Sequence, residues 1–471
     1  MSEKIEKGKS LLKNISLFFL ASFVPKTISF FLVPLYTNCL TTREYGTIDL
    51  ITATAQLLLP ILTLQIQDAL LRFTLGNEAE AAQIYSAGLR IILRGCGILV
   101  IGMGIGCAGG VIPLDWTYIL FFLVTFLSGA LNNITTYFLR AIDQVRTITA
   151  ASILNCMITV GANLLFLLVF RWGVNGYLLA NALGHVFSLV LLFVMGGLHR
   201  YILWEKPDRA LTGRIVAFSL PMVMSALAWW VNHSLDKYML TFFCGVSASG
   251  LLAVANKIPT IIYTFGTIIS KAFVVSVVQN FDQKDEDGFL GQSYGTISFL
   301  MVISASVLMV LNVPLSRFLF AKEFFEAWQI VPPLLLSAVM NHMSLSCEHI
   351  CIALKRTDVI SSTALIGAGV NIVFNLCLIP WMQGYGAALA TAASFGIVWL
   401  IRYFWVRHHV TMKNNWIKEV LSYGMLTLQM ICAYWGERFA PVQIILVLMI
   451  CFLYRKQWLR GIAAVRKLRH G

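Results

Sequence analysis

The sequence is short of charge and of catalytic motifs. Only 12% of its 471 residues are charged and 58% are apolar, against about 25% and 45–50% in a soluble domain. That excludes a soluble globular chain. It also excludes a disordered, collagen-like or disulfide-stapled one. The ten cysteines form no CxxC pair and sit in apolar runs, so they read as small buried hydrophobes, not zinc ligands or staples. No P-loop, HExxH or GxSxG motif occurs, and no loop carries paired catalytic carboxylates. No catalytic residue, cofactor or metal site is therefore expected, and the chain is not expected to be an enzyme. Connecting segments stay under about 20 residues, too short for a soluble catalytic or nucleotide-binding domain.

What is present is apolar length, with a mean hydropathy of +0.78. Fourteen stretches approach or exceed the ~20 residues that carry a helix across ~30 Å of hydrocarbon. They cover residues 15–37, 48–71, 91–112, 117–139, 149–170, 176–196, 215–242, 250–278, 291–312, 328–352, 359–380, 385–401, 419–436 and 440–454. The expected class is an all-α integral membrane protein of about fourteen transmembrane helices. The first stretch is too long for a signal peptide and lacks a small-residue cleavage site, so it is expected to remain as a span. Of 35 Lys and Arg, 25 fall in segments on the amino-terminal side of the alternation, 5 on the other side, and 5 inside spans. Basic residues favour the cytoplasm, so both termini are expected there and most of the +13 net charge reflects topology, not affinity for nucleic acid.

The chain also repeats at a spacing of about 210 residues. Ala141 to Asn163 and Ala353 to Asn375 each run from an alanine beside a basic patch to a mid-span asparagine, followed by VNGYLLANA (174–182) and GYGAALATA (384–392). Such repeats in a membrane chain suggest two pseudo-symmetric bundles with a substrate site between them. The expected division is a six-helix lobe over 1–200, a second over 201–410, and two further helices with a basic tail over 411–471.

A basic residue at mid-membrane costs ~2.5–3.5 kcal/mol on insertion scales, so those inside spans are expected to face water or a partner. Lys26, Arg94, Lys237, Lys257 and Lys271 lie inside spans, accompanied by the acids Asp68, Asp236 and Glu348. Lys257, Thr260, Thr264, Thr267 and Lys271 fall on one helical stripe, which reads as the wall of a hydrated cationic cavity. Lys26 shares a face with Ser22 and Ser29, next to an expected kink at Pro25. In span seven His233 reaches Asp236 or Lys237 at helical spacing, while Trp229 and Trp230 offer aromatic faces for sugar rings or act as interface anchors. Asp68 and Arg72 are spaced to pair, with Gln65 on the same face. Ser337, Asn341, Ser344 and Glu348 form a polar stripe in span ten, where Glu348 is either a proton-coupling carboxylate or half of an ion pair with a lysine of the other half. Gly102, Gly106 and Gly110 follow GxxxG and read as a close helix contact.

FLVPLYTNCLTTREYGTIDLI (31–51), SLDKYML (234–240), SGLLAVANKIPTII (249–262), YFLRAIDQVRTITAASI (137–153) and GYGAALATAASFG (384–396) together resemble the polysaccharide flippases, the Wzx-type O-antigen transporters within the multidrug/oligosaccharidyl-lipid/polysaccharide exporter superfamily. The resemblance spans essentially the whole chain. It implies two six-helix bundles and a terminal pair around a central cavity. The implied cargo is an undecaprenyl-pyrophosphate-linked oligosaccharide turned to the outer leaflet of a bacterial inner membrane, with a lipopolysaccharide or other surface polysaccharide as the end product. Polysaccharide polymerase and glycosyltransferases are the partners it implies, beside the lipid bilayer. Lys26, Lys257 and Lys271, with Lys237 and Arg94, would then bind diphosphate or acidic sugars. Trp229, Trp230, His233 and Asn341 would contact sugar, and Asp236, Glu348 and Asp68 are the ion-coupling candidates. A multidrug cation antiporter would instead want an acidic cavity, a lipid II flippase would use similar cations, and a membrane glycosyltransferase or polymerase would want a large outer loop.

Overall fold

In lipid no water is at hand to satisfy backbone N–H and C=O groups, so apolar stretches of this length close their hydrogen bonds internally as helices. The computed structural model describes residues 25–75, 80–110, 115–204, 208–279, 281–455 and 457, and its regular elements are all helical. The amino-terminal basic cluster, Ser22 and nearly all of the basic tail lie outside the described residues.

The chain divides into two compact units. The first comprises Met1–Leu40 and Thr47–Val231, the second Thr41–Gly46 and Asn232–Gly471. The boundary falls inside one helix, Arg209–Cys244.

In the first unit a helical stretch over 25–31 leads into α1 (Val33–Cys39), then α2 (Thr42–Thr63), α3 (Ile66–Thr74), α4 (Ala81–Ala108), α5 (Trp116–Ala141), α6 (Val145–Leu164), α7 (Gly173–Met195) and the first part of α8 (Arg209–Cys244). Its core is Ile66, Leu70, Ile134, Phe138 and Leu139, all essentially unexposed. A close helix contact is not made at Gly102 or Gly110 of the GxxxG series, where a Cβ would meet nothing within 4 Å. One lies two turns earlier, where a Cβ on Gly95 would stand 1.9 Å from the Leu62 carbonyl oxygen. Spacing alone reports where backbones can approach and not which face is covered.

The second unit holds the rest of α8, α9 (Val246–Ala255), α10 (Pro259–Gln279), α11 (Phe289–Val310), α12 (Asn312–Leu319), α13 (Val331–Ala353), α14 (Thr357–His409), α15 (Trp416–Tyr434) and α16 (Ala440–Leu453). Its central element is α13, buried along most of its length from Val331 to Cys351. Thr41–Gly46 is seated here: Glu323 accepts from the Thr42 N–H at 2.9 Å and from its hydroxyl at 3.2 Å. A Cβ on Gly46 would come within 2.3 Å of the Val246 carbonyl oxygen, so only glycine fits that seat.

Eight described helices are long and apolar enough to cross a membrane, or ten if two bent pairs each count as one span. That measure does not reach fourteen, because several expected spans are broken or merged. The eighth is α9 and α10, bent by 51° at their junction. The eleventh and twelfth form α14, 53 residues long, with non-helical Gln383 (φ 49°, ψ −130°) inside. The Ser394 hydroxyl donates to the Gly367 carbonyl at 2.8 Å, so the two halves of α14 fold back side by side. A straight rod would hold these residues ~40 Å apart at 1.5 Å per residue.

Candidate functional site

The densest polar grouping among the candidates lies in the second unit, where α8, α10 and α13 present facing side chains. The Tyr263 hydroxyl meets the side chains of Ser337 and Asn341, and Asp236 lies within electrostatic range of it. The His342 ring stands 5.6 Å from that of Tyr263 and packs on Gly266, where a Cβ would come within 2.2 Å of the imidazole. His342 is 3% exposed, and neither ring nitrogen has a hydrogen-bond partner among the described residues. A buried polar group in that state draws ordered water or a bound ligand. Asp236 accepts the Lys237 N–H at 2.9 Å, His233 lies in the field of Lys237, and its ring packs 5.6 Å from Phe395. The structure thus brings Asp236 and Asn341 together around Tyr263. Tyr263 and His342 were not picked out by the sequence; their readable signal is helical spacing, Tyr263 standing three residues beyond Thr260 and His342 following Asn341 in the polar stripe.

The polar stripe of α13 faces inward, with Ser337, Asn341 and Ser344 all buried. Glu348 is not a lone carboxylate, nor does a lysine pair with it: its Oε2 accepts from Arg402 at 2.7 Å. Arg402, 5% exposed, also donates to Thr363 Oγ1 at 2.8 Å and Ser344 Oγ at 3.0 Å. The sequence places Arg402 in a basic connecting segment, whereas it is a buried helical residue of the same unit.

The Lys257 to Lys271 stripe is not one continuous wall. Lys257 sits in the three-residue break between α9 and α10, ahead of Pro259, so the 51° bend separates it from the rest. The Thr260, Thr264 and Thr267 hydroxyls donate to the carbonyls of Asn256, Thr260 and Tyr263 at 2.8, 2.7 and 2.6 Å. Thr264 is buried, while Thr267 and Lys271 are exposed.

In the first unit Lys26 and Arg94 are exposed. Asp68 does not pair with Arg72. Its carboxylate faces the Gln65 side chain and the charge of Arg140, whereas the Arg72 guanidinium lies 4.8 Å over the Phe218 ring. Trp230 is buried and donates its indole N–H to the Ala53 carbonyl at 2.9 Å, so its role there is in packing; Trp229 is 60% exposed.

The helices and their apolar surfaces define a multi-pass membrane protein, and its architecture is that of known transporters. The lipid II flippase MurJ in its inward closed conformation aligns with a TM-score of 0.71 at 16% identity, over 95% of this chain and 99% of that one. A multidrug resistance MATE family transporter of the MOP superfamily, inward-facing, aligns at 0.64 and 12% identity, over 83% and 98%. A MOP superfamily transporter from Pyrococcus furiosus, described as having a binding pocket of reversed polarity, aligns at 0.59 and 12% identity, over 86% and 97%. These neighbours are transporters and flippases, not enzymes. More particularly, the chain belongs to the polysaccharide biosynthesis protein family, whose model matches residues 11–275. No curated protein matches it.

Proposed function

We propose that the protein is a flippase that turns an undecaprenyl-pyrophosphate-linked oligosaccharide repeat unit, as in O-antigen synthesis, from the cytoplasmic to the outer leaflet of a bacterial inner membrane. The observation that carries this reading is the unequal fate of the intramembrane charges. Glu348 is neutralised by Arg402, Asp68 faces Gln65 and Arg140, and Asp236 accepts a backbone N–H, whereas Lys26, Arg94 and Lys271 sit at exposed positions. Exposed cations and engaged acids suit an anionic cargo, and a diphosphate is the anion that family membership favours. A cation antiporter would need the reverse. Transport by alternating access of two lobes, 1–200 and 201–410, with residues 411–471 as an added pair, spares the headgroup from crossing lipid. An inside-negative potential favours outward movement of the diphosphate by ~2.3 kcal/mol per charge per 100 mV. Asp236 is the remaining candidate for a coupled cation, and the polymerase and glycosyltransferases of the same route are the natural partners.

In vesicles containing the purified protein and a lipid-linked oligosaccharide, appearance of glycan at the outer leaflet is the readout. Lys26→Gln, Lys257→Gln and Lys271→Gln should abolish flipping while the three arginine variants retain part of it. Full flipping by all three glutamine variants at normal protein levels would reduce these lysines to interface anchors. The same assay with lipid II separates the second reading, which the MurJ-like fold keeps open: preferential flipping of lipid II would replace the oligosaccharide assignment.

A further inference from the structure

At the amino-terminal end of α11, residues 413–415, Arg455 and Gln457 border a crevice of about 580 Å³. Among the described residues three cations line it, Lys413, Lys418 and Arg455, against one acid, Glu419. Glu419 is buried, and its carboxylate accepts from the Ser298 and Tyr423 hydroxyls. Each cation is oriented by a neighbour, and Lys413 and Lys418 also act on the acids Asp282 and Glu419. Lys413 Nζ donates to the Glu286 carbonyl at 2.6 Å. Lys418 Nζ donates to Gln457 Oε1 at 2.7 Å and stands 3.9 Å from the centre of the Tyr454 ring. The Arg455 guanidinium lies 4.9 Å over the Phe452 ring.

The charge is local to this crevice. A neighbouring one of about 890 Å³, on the other side of α11, is lined by Asp282, Asp285 and Asp287. Two of those acids serve the backbone. Asp285 accepts the N–H groups of Leu290, Gly291 and Lys413, and Asp282 those of Glu286 and Lys284. Beside the cations the surface turns apolar at once: Phe452 lines the crevice and is 68% exposed, and Leu448, one turn further into the helix, is 62% exposed. A cationic hollow continued by an exposed apolar flank matches a phosphate that carries acyl chains better than a free one.

We propose that this crevice binds the phosphate headgroup of an anionic phospholipid, with Lys418 and Arg455 on the phosphate and the acyl chains along Phe452 and Leu448. The site is separate from the lysines assigned to transport and does not depend on that assignment. The test is native mass spectrometry of the full chain, purified free of lipid in maltoside detergent and titrated in parallel with phosphatidylglycerol, phosphatidylcholine and inorganic phosphate. One phosphatidylglycerol should be retained under activation that strips phosphatidylcholine. Retention should weaken roughly fivefold for each cation removed in Arg455→Gln and in the Lys418→Gln, Arg455→Gln double variant. Arg455 is exposed, so the single variant should keep the wild-type melting temperature without lipid, and it decides the matter alone if the double variant fails to fold. Equal retention of the two lipids, or retention of phosphatidylglycerol unchanged in Arg455→Gln, overturns the proposal. Retention of inorganic phosphate with no retention of phosphatidylglycerol overturns the lipid assignment and leaves a free-anion site.

Discussion

At the scale of single residues, the Glu348 and Arg402 pair shows what a part-buried ion pair within one unit does: Arg402 is buried and Glu348 is 24% exposed. Removing one partner of a fully buried pair costs ~3–5 kcal/mol, whereas replacing both by apolar groups of similar size is close to neutral; water reaching Glu348 screens part of that cost here. Arg402→Ala should therefore lower the melting temperature in detergent strongly, and Arg402→Met combined with Glu348→Leu should recover most of the loss. A double variant as unstable as the single one would mean that the Thr363 and Ser344 contacts, not the ion pair, hold Arg402. The sequence displays the Glu348 half of the pair, because an acid in an apolar stretch stands out. It hides the other half, because the expected span ends at residue 401 and a boundary error of one residue turns a buried partner into a loop cation. The continuous stripe through Lys257 breaks for a related reason. It assumes an unbroken helix, although Pro259, which lacks an N–H, stood in view as the signal of a break. His342 could be read only as a neighbour of Asn341, since nothing in a sequence reveals that both nitrogens of a buried ring lack partners.

At the scale of helices, apolar periodicity was enough to locate nearly all of them, and each expected stretch from the second onward lies largely in helix. What it could not supply is where helices break, since breaks depend on single backbone conformations. The GYGAALATA segment marks a turn near Gly384, yet the non-helical residue is Gln383, at φ 49° and ψ −130°. A side chain held in a backbone region that essentially only glycine occupies costs ~1–3 kcal/mol. Gln383→Gly should therefore raise the thermal midpoint and leave flipping intact. A lowered midpoint would mean that the glutamine side chain makes contacts worth more than the strain it imposes.

At the scale of the whole molecule, the excess of basic residues on one side predicts an orientation that vesicle or whole-cell labelling can check. In a cysteine-free background, an impermeant thiol reagent added outside cells should modify a cysteine at Asn38 or Gln383 and spare one at Lys284 or Arg356. All four positions are exposed, so an inverted pattern would reverse the topology and not merely report burial. The internal repeat suggests two lobes divided near residue 200, whereas the compact units divide at Val231–Asn232 and the second includes Thr41–Gly46, an allocation not legible in the sequence because a six-residue segment has no periodicity of its own. The backbone passes between these two units three times, at Leu40–Thr41, Gly46–Thr47 and Val231–Asn232. With Gly46 seated against the Val246 carbonyl, where only glycine fits, a bulkier residue there would unseat Thr41–Gly46 from the second unit without touching cargo.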